Sequence, residues 1–154
     1  MKTKFINAHI KVAETYAQLS SAKRLKVGCV IVKNDTIIGI GYNGMPSGWN
    51  NDCEEFKPQP FPHEPELVTR PEVIHAEINA ISKVARSTNS SDGADMFITH
   101  APCIECAKSL FQAGIKRVFY RDTYRNDDGL KFLERCKVET IRIQGELNEF
   151  ESKT

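Results

Sequence analysis

Between Ile74 and Cys106 the chain reads helix, strand, helix, and each helix opens on side chains that bind metals. The first starts near His75-Ala76-Glu77, where Ile74, Ile78, Ile81 and Val84 recur with helical rhythm. Residues 95–99 (DMFIT) read as a short strand. The second helix starts at Pro102-Cys103-Ile104-Glu105-Cys106, with Pro102 at a favoured early position and Gly114 as a stop.

Soft thiolates with one imidazole suit zinc, and three protein ligands leave a fourth position for water, the arrangement of a catalytic site. Cys103 and Cys106, three apart at a helix start, are able to place both sulfurs on one side. All three ligands sit near helix N-termini, where the positive dipole end favours thiolates. Two thiolates cancel the formal charge of the metal, so it acidifies water less than an all-histidine site does. A base nearby is then useful. Glu77, two residues beyond a ligand, is the expected proton carrier, and partial burial raises its pKa for the task.

A lone Cys-x-x-Cys also fits a redox pair or half of a structural zinc site, and Cys29, Cys53 and Cys136 are available as a fourth ligand. The combination with His-x-Glu, in helix-strand-helix order, favours catalytic zinc. Five cysteines are an odd number with irregular spacing, which argues against a disulfide framework. The N-terminus, MKTKFINAHIKVAETYAQL, is amphipathic and lacks the uninterrupted apolar core of a secretory leader, so a cytoplasmic location is expected. No apolar stretch approaches the roughly 20 residues of a membrane span. A net charge of +1 gives no reason to expect a nucleic-acid or membrane surface.

At 154 residues the chain suits one compact domain. Residues 3–20 read as a helix. Residues 27–32 and 36–43 are β-rich runs around Lys33-Asn34-Asp35 and predict an antiparallel hairpin. Residues 44–74, with six prolines, read as a long irregular loop of the kind usually tied to function. A strand at 116–120, a helix capped by Asp127 or Asp128 and running to Arg135, and a strand at 138–143 complete the order, with a polar tail from about residue 145. The alternation predicts a three-layer α/β/α sandwich around a five-stranded mixed sheet.

His-x-Glu followed by Pro-Cys-x-x-Cys is the signature of zinc nucleobase deaminases. The chain further resembles the deoxycytidylate (dCMP) deaminases of the cytidine deaminase-like superfamily. The resemblance rests on Val27-Gly28-Cys29-Val30-Ile31-Val32, Gly39-Ile40-Gly41-Tyr42-Asn43-Gly44-Met45-Pro46-Ser47-Gly48, His75 to Ile81 and Ala101 to Ala107, and runs from about residue 8 to 143. It implies zinc-dependent conversion of dCMP to dUMP, a supply route to thymidylate. It also implies a hexamer that dCTP activates and dTTP inhibits, usually with Mg²⁺.

Carried over by position, the resemblance puts Asn43 on the sugar hydroxyl and the backbone of Ala76 and of Thr99 to Ala101 on the base edge. Val27 and Tyr124 would pack against the ring, although Tyr124 also fits a strand-end aromatic facing the core. Lys26 and Arg125 are the expected phosphate donors. Gly44, Met45, Pro46, Ser47 and Gly48 would line a regulatory site or form only a tight turn. Arg86 would make subunit contacts or end a solvated helix. His100 departs from the small or aliphatic residue commoner there. Some relatives carry a second zinc near the long loop, where this chain has Cys53 and His63 without an evident full ligand set.

Two other functions compete. One is deamination of free cytidine, guanine or the adenosine of transfer RNA, the last disfavoured by the low net charge. The other is a nucleotide sensor without turnover, which has no use for Glu77.

Overall fold

Asn34 and Asp35 both adopt left-handed backbone angles, with φ of 50° and 59°, the two-residue turn whose twist matches that of paired strands. They join β1 (Gly28–Lys33) to β2 (Thr36–Tyr42) as the expected antiparallel hairpin. The structure, a computed structural model, describes residues 1–147; residues 148–154 of the polar tail lie outside the described residues.

From this hairpin the sheet extends on one side. β1 pairs antiparallel with β5 (Asp95–His100), β5 pairs parallel with β6 (Arg117–Asp122), and β6 pairs parallel with β7 (Glu139–Arg142). The order β2-β1-β5-β6-β7 makes a five-stranded mixed sheet. Strand alternation divides its side chains between two faces. Val30, Val32, Phe97 and Phe119 pack with Ile10 and Ala13 of α1 (Thr3–Ala17). Cys29, Ile31, Met96, Ile98 and Val118 pack instead with α2 (Ala76–Ala85), α3 (Ile104–Gln112) and α4 (Asp128–Arg135), through Ala76, Ala80, Leu110 and Leu133. The result is the expected three-layer α/β/α sandwich. Each large aliphatic or aromatic side chain so buried contributes about 1.5–3 kcal/mol. None of the described helices is long and apolar enough to cross a membrane.

Two local readings are corrected. The 44–74 segment is not irregular throughout, because β3 (Glu54–Lys57) and β4 (Glu66–Thr69) form a separate antiparallel ribbon. Both strands are four residues long and have no buried residue, and neither EEFK nor ELVT alternates apolar with polar side chains, so there is no hydrophobic alternation to read. Pro58, Pro60, Pro62 and Pro65 all fall in the connection between them, where a missing N–H breaks no ladder. Pro102, expected inside α3, precedes it: Cys103 is the extended N-cap, with φ −67° and ψ 168°, and the helix begins at Ile104. Gly129 permits this, since a Cβ there would collide with the Pro102 carbonyl oxygen.

His9 lies on the buried face of α1 with its ring centroid 5.1 Å from that of Phe97, and its Nε2 has no hydrogen-bond partner among the described residues. Burial holds its imidazole below the usual 6.5, although Asp35 and Asp95 pull the other way. The unfolded chain therefore binds the proton first. Stability is fully present above pH 6.5 and declines as pH falls toward the folded value. His9→Phe should flatten that decline in urea unfolding between pH 7 and 5; an unchanged slope would show that His9 does not titrate differently on folding.

Candidate active site

The N-termini of α2 and α3 lie beside one another on the same face of the sheet. His75 is the extended N-cap of α2, with φ −68° and ψ 152°, and Cys103 holds the same position on α3, whose first turn also carries Cys106. The chain before His75 is fixed by a bridge in which Gly44 and Ile74 exchange backbone hydrogen bonds of 3.1 and 2.8 Å. α2 rides directly on β2, because Gly41 leaves room for the Ala76 carbonyl that any Cβ would strike.

This places His75 Nδ1 3.3 Å from Cys106 Sγ and 3.7 Å from Cys103 Sγ, with all three ligand atoms within 4.8 Å of one another. A tetrahedral zinc, about 2.3 Å from sulfur and about 2.0 Å from nitrogen, sets sulfur–nitrogen separations of roughly 3.5 Å. The donor set and its spacing therefore fit zinc. Among the described residues it is the one such group of three or more His, Cys, Asp or Glu side chains. Cys53 is buried and His63 exposed, and no third ligand joins them there, so the second-zinc alternative has no assembled site among the described residues.

The Cys106 thiol and then the His75 imidazole hold the Cys103 thiol down to about 4, while the Cys103 contact and then burial push the Cys106 thiol up. Contact with Cys103 raises the His75 imidazole above its usual value. Glu77, in the first turn of α2, is only 4% exposed, and burial pushes its carboxyl up to about 7. Cys29 lies behind it, fully buried, its thiol raised by burial and then by the Glu77 charge.

His75, Glu77 and Cys103 line a cavity of about 490 Å³. Val27, Asn43, Ala76, Ala101, Tyr124 and Arg125 line it too. Ala76 is the first residue of α2, so its N–H has no intrahelical acceptor. The Ala101 N–H is already taken by the Asp122 carbonyl at 2.8 Å. Asn43 is heavily engaged: its Oδ1 accepts from Val27 N–H at 2.8 Å and its Nδ2 donates to Leu25 O at 2.8 Å. Thr99 and Lys26 do not line the cavity. The Thr99 hydroxyl accepts instead from Gly28 N–H at 3.1 Å and lies 3.1 Å from His100 Nδ1. His100 does border the cavity, with Nε2 3.8 Å from Asp122, and burial lowers its imidazole although Asp122 opposes the shift.

The Gly44–Gly48 turn stands outside the cavity lining, with Gly48 at φ 86° and Trp49 N–H closing on Pro46 O at 3.0 Å. Arg86 is the exposed C-cap of α2, a whole helix away from His75. Sequence reasoning missed Arg24, Glu54 and Thr69, all of which line the cavity. Arg24 and Lys26 are exposed cations two residues apart, with nothing local to separate them; the missing signal was the ribbon that carries Glu54 and Thr69.

Residues 3–122 match the family model described as the cytidine and deoxycytidylate deaminase zinc-binding region. The chain is 35% identical over 147 residues to the deoxycytidylate deaminase of Enterobacteria phage T4, covering 75% of this chain and 76% of that one. It is 42% identical over 122 residues to the deoxycytidylate deaminase of Homo sapiens, covering 76% of this chain and 65% of the human one. The crystal structure of dCMP deaminase from cyanophage S-TIM5, in complex with dCMP and dUMP, superposes with a TM-score of 0.83 at 42% identity, over 93% of this chain and 99% of that chain. With three metal-ligand atoms and a buried carboxyl converging on one cavity, these matches show that the chain belongs to the cytidine and deoxycytidylate deaminase family and is a deaminase.

Proposed function

We propose that the protein deaminates dCMP to dUMP, with zinc held by His75, Cys103 and Cys106 and with Glu77 carrying the protons. The observation that carries this is a carboxyl buried at about 7 beside three converging ligand atoms on the cavity wall. Zinc, when bound, supplies the Lewis acidity that makes water a usable nucleophile near neutral pH.

Glu77 does the rest of the proton work. Its carboxylate takes one proton from a water in the cavity as the water oxygen bonds to C4 of the cytosine, and delivers that proton to N3. It then takes the second water proton from the new C4 hydroxyl and carries it to the amino nitrogen. The C4–N bond breaks, ammonia leaves, and C4 keeps the oxygen as a carbonyl. One water enters and one ammonia departs, with no change of oxidation state. A carboxyl with a pKa near the working pH is suited to both transfers.

Ala76, through its free N–H, and the backbone of Ala101, through its carbonyl, would border the base, whereas Thr99 stands outside the cavity lining with its hydroxyl taken by Gly28 N–H. Val27 and Tyr124 would flank the ring. Asn43 would meet the sugar with the one N–H it has left, while its other atoms hold residues 25–27. Arg125 would bind the phosphate together with Arg24, which takes the part expected of Lys26. The Gly44–Gly48 turn is bridged to the residue before His75, which supports its reading as the site where dCTP and dTTP, with Mg²⁺, regulate turnover. A hexamer with Arg86 at a subunit contact and a cytoplasmic location complete the reading, and rest on the resemblance.

Purified protein should carry about one zinc per chain and release ammonia from dCMP far faster than from cytidine. Equal rates on the two would remove the phosphate-recognition claim. Turnover of dCMP with and without dCTP and dTTP tests the regulation directly.

A further inference from the structure

We infer that Glu54, on the β3–β4 ribbon, is a positioning residue for substrate phosphate: it fixes Arg24 at the cavity wall and acts on affinity for the nucleotide. The inference rests on the reading of dCMP as substrate.

One carboxylate oxygen, Glu54 Oε1, accepts from the backbone N–H of Lys23 at 2.7 Å and of Arg24 at 3.0 Å. Hydrogen bonds to an ionised acceptor are roughly twice as strong as neutral ones. Thr69 is the partner of Glu54 across the ribbon, and its Oγ1 accepts from Arg24 Nη1 at 3.4 Å. One rung of the ribbon therefore holds both the backbone and the guanidinium of Arg24. The ribbon is itself braced, by Arg70 N–H to Cys53 O at 2.8 Å and by an Arg70–Glu55 ion pair at 3.0 Å.

The stretch from Lys23 to Val27 has no regular secondary structure, and its other end hangs on Asn43. The position of the Arg24 side chain is thus decided by tertiary anchors and not by local propensity. Arg24 and Arg125 border the same cavity, and neither forms an ion pair among the described residues. Two guanidiniums without a carboxylate partner among the described residues, both at this cavity, suit a dianion. A carboxylate in such a place repels phosphate unless its charge is directed elsewhere, and the two N–H groups on Oε1 give it that direction.

The test measures kcat and KM for dCMP, and the dissociation constants of dUMP and deoxyuridine, for the zinc-loaded wild type, Glu54→Ala and Glu54→Gln. Glu54→Ala should raise KM for dCMP and weaken dUMP binding about tenfold, the effect of losing a hydrogen bond to a charged group. The loss should fall on KM more than on kcat and leave deoxyuridine binding within about twofold. Glu54→Gln keeps an acceptor oxygen and should recover most of the difference. If both variants tighten dUMP, Glu54 only repels the phosphate and the positioning role is overturned. Equal weakening of dUMP and deoxyuridine, with a lower melting temperature, would assign it a merely structural role. A wild type that binds dUMP no better than deoxyuridine would overturn the dCMP reading itself, whatever the variants do.

Discussion

Glu77→Gln is expected to lose at least about two to four orders of magnitude in turnover while keeping about one zinc per chain. That loss corresponds to about 3–5 kcal/mol of barrier height. Glutamine has the shape of glutamate and fills the same buried space, but it cannot take or give the transferred proton. Glu77 lies outside the group of three ligand atoms, so metal content should not follow activity down. A variant that stays near wild-type turnover would show that protons travel by another route. The metal-free protein gives an independent readout. The folded carboxyl titrates at about 7 against an ordinary 4.5 because burial penalises its charge. Its contribution to stability is therefore complete below pH 4.5 and lost as pH rises through 7. Glu77→Gln should abolish that decline in thermal unfolding of the metal-free chain.

Cys103→Ala should lose metal and stability together. The Cys103 side chain is only half-buried, so removing its sulfur opens little cavity, and the loss would come mainly through zinc. Two ligands would remain, one imidazole and one thiolate, too few to hold zinc against a chelator. A ligand that binds only the folded state stabilises it by about 4 kcal/mol at a free concentration a thousand times its dissociation constant. Wild type should then melt well above its chelator-treated form, whereas Cys103→Ala should melt at one temperature with or without zinc. Stoichiometric zinc in the purified variant would mean that the metal is held elsewhere.

The two expected effects separate what the residues do. Glu77→Gln should leave a zinc-loaded, folded and nearly silent protein; Cys103→Ala should leave one that is silent because it cannot keep the ion. Loss of both properties in Glu77→Gln would draw the carboxyl into the metal's own ligand set, against its placement outside that group.

Much of this protein was written locally. The central strands announce themselves as apolar runs, since β1 and β5 are buried on both faces and need no polar alternation. Asn34-Asp35 specified a turn because these residue types tolerate positive φ. His75, Glu77, Cys103 and Cys106 were legible because ligand chemistry demands particular atoms, and because helix starts place them at short, fixed spacings. Other features needed the folded chain. The β3–β4 ribbon has two four-residue strands without apolar–polar alternation, so only its cross-strand pairing reveals it. Choosing Arg24 over Lys26 as a cavity residue required a carboxylate some thirty positions away, Glu54, to anchor the backbone. The raised carboxyl of Glu77 likewise depends on burial beneath a sheet and beside a second helix, a property of the surroundings that no neighbouring residue in the sequence encodes.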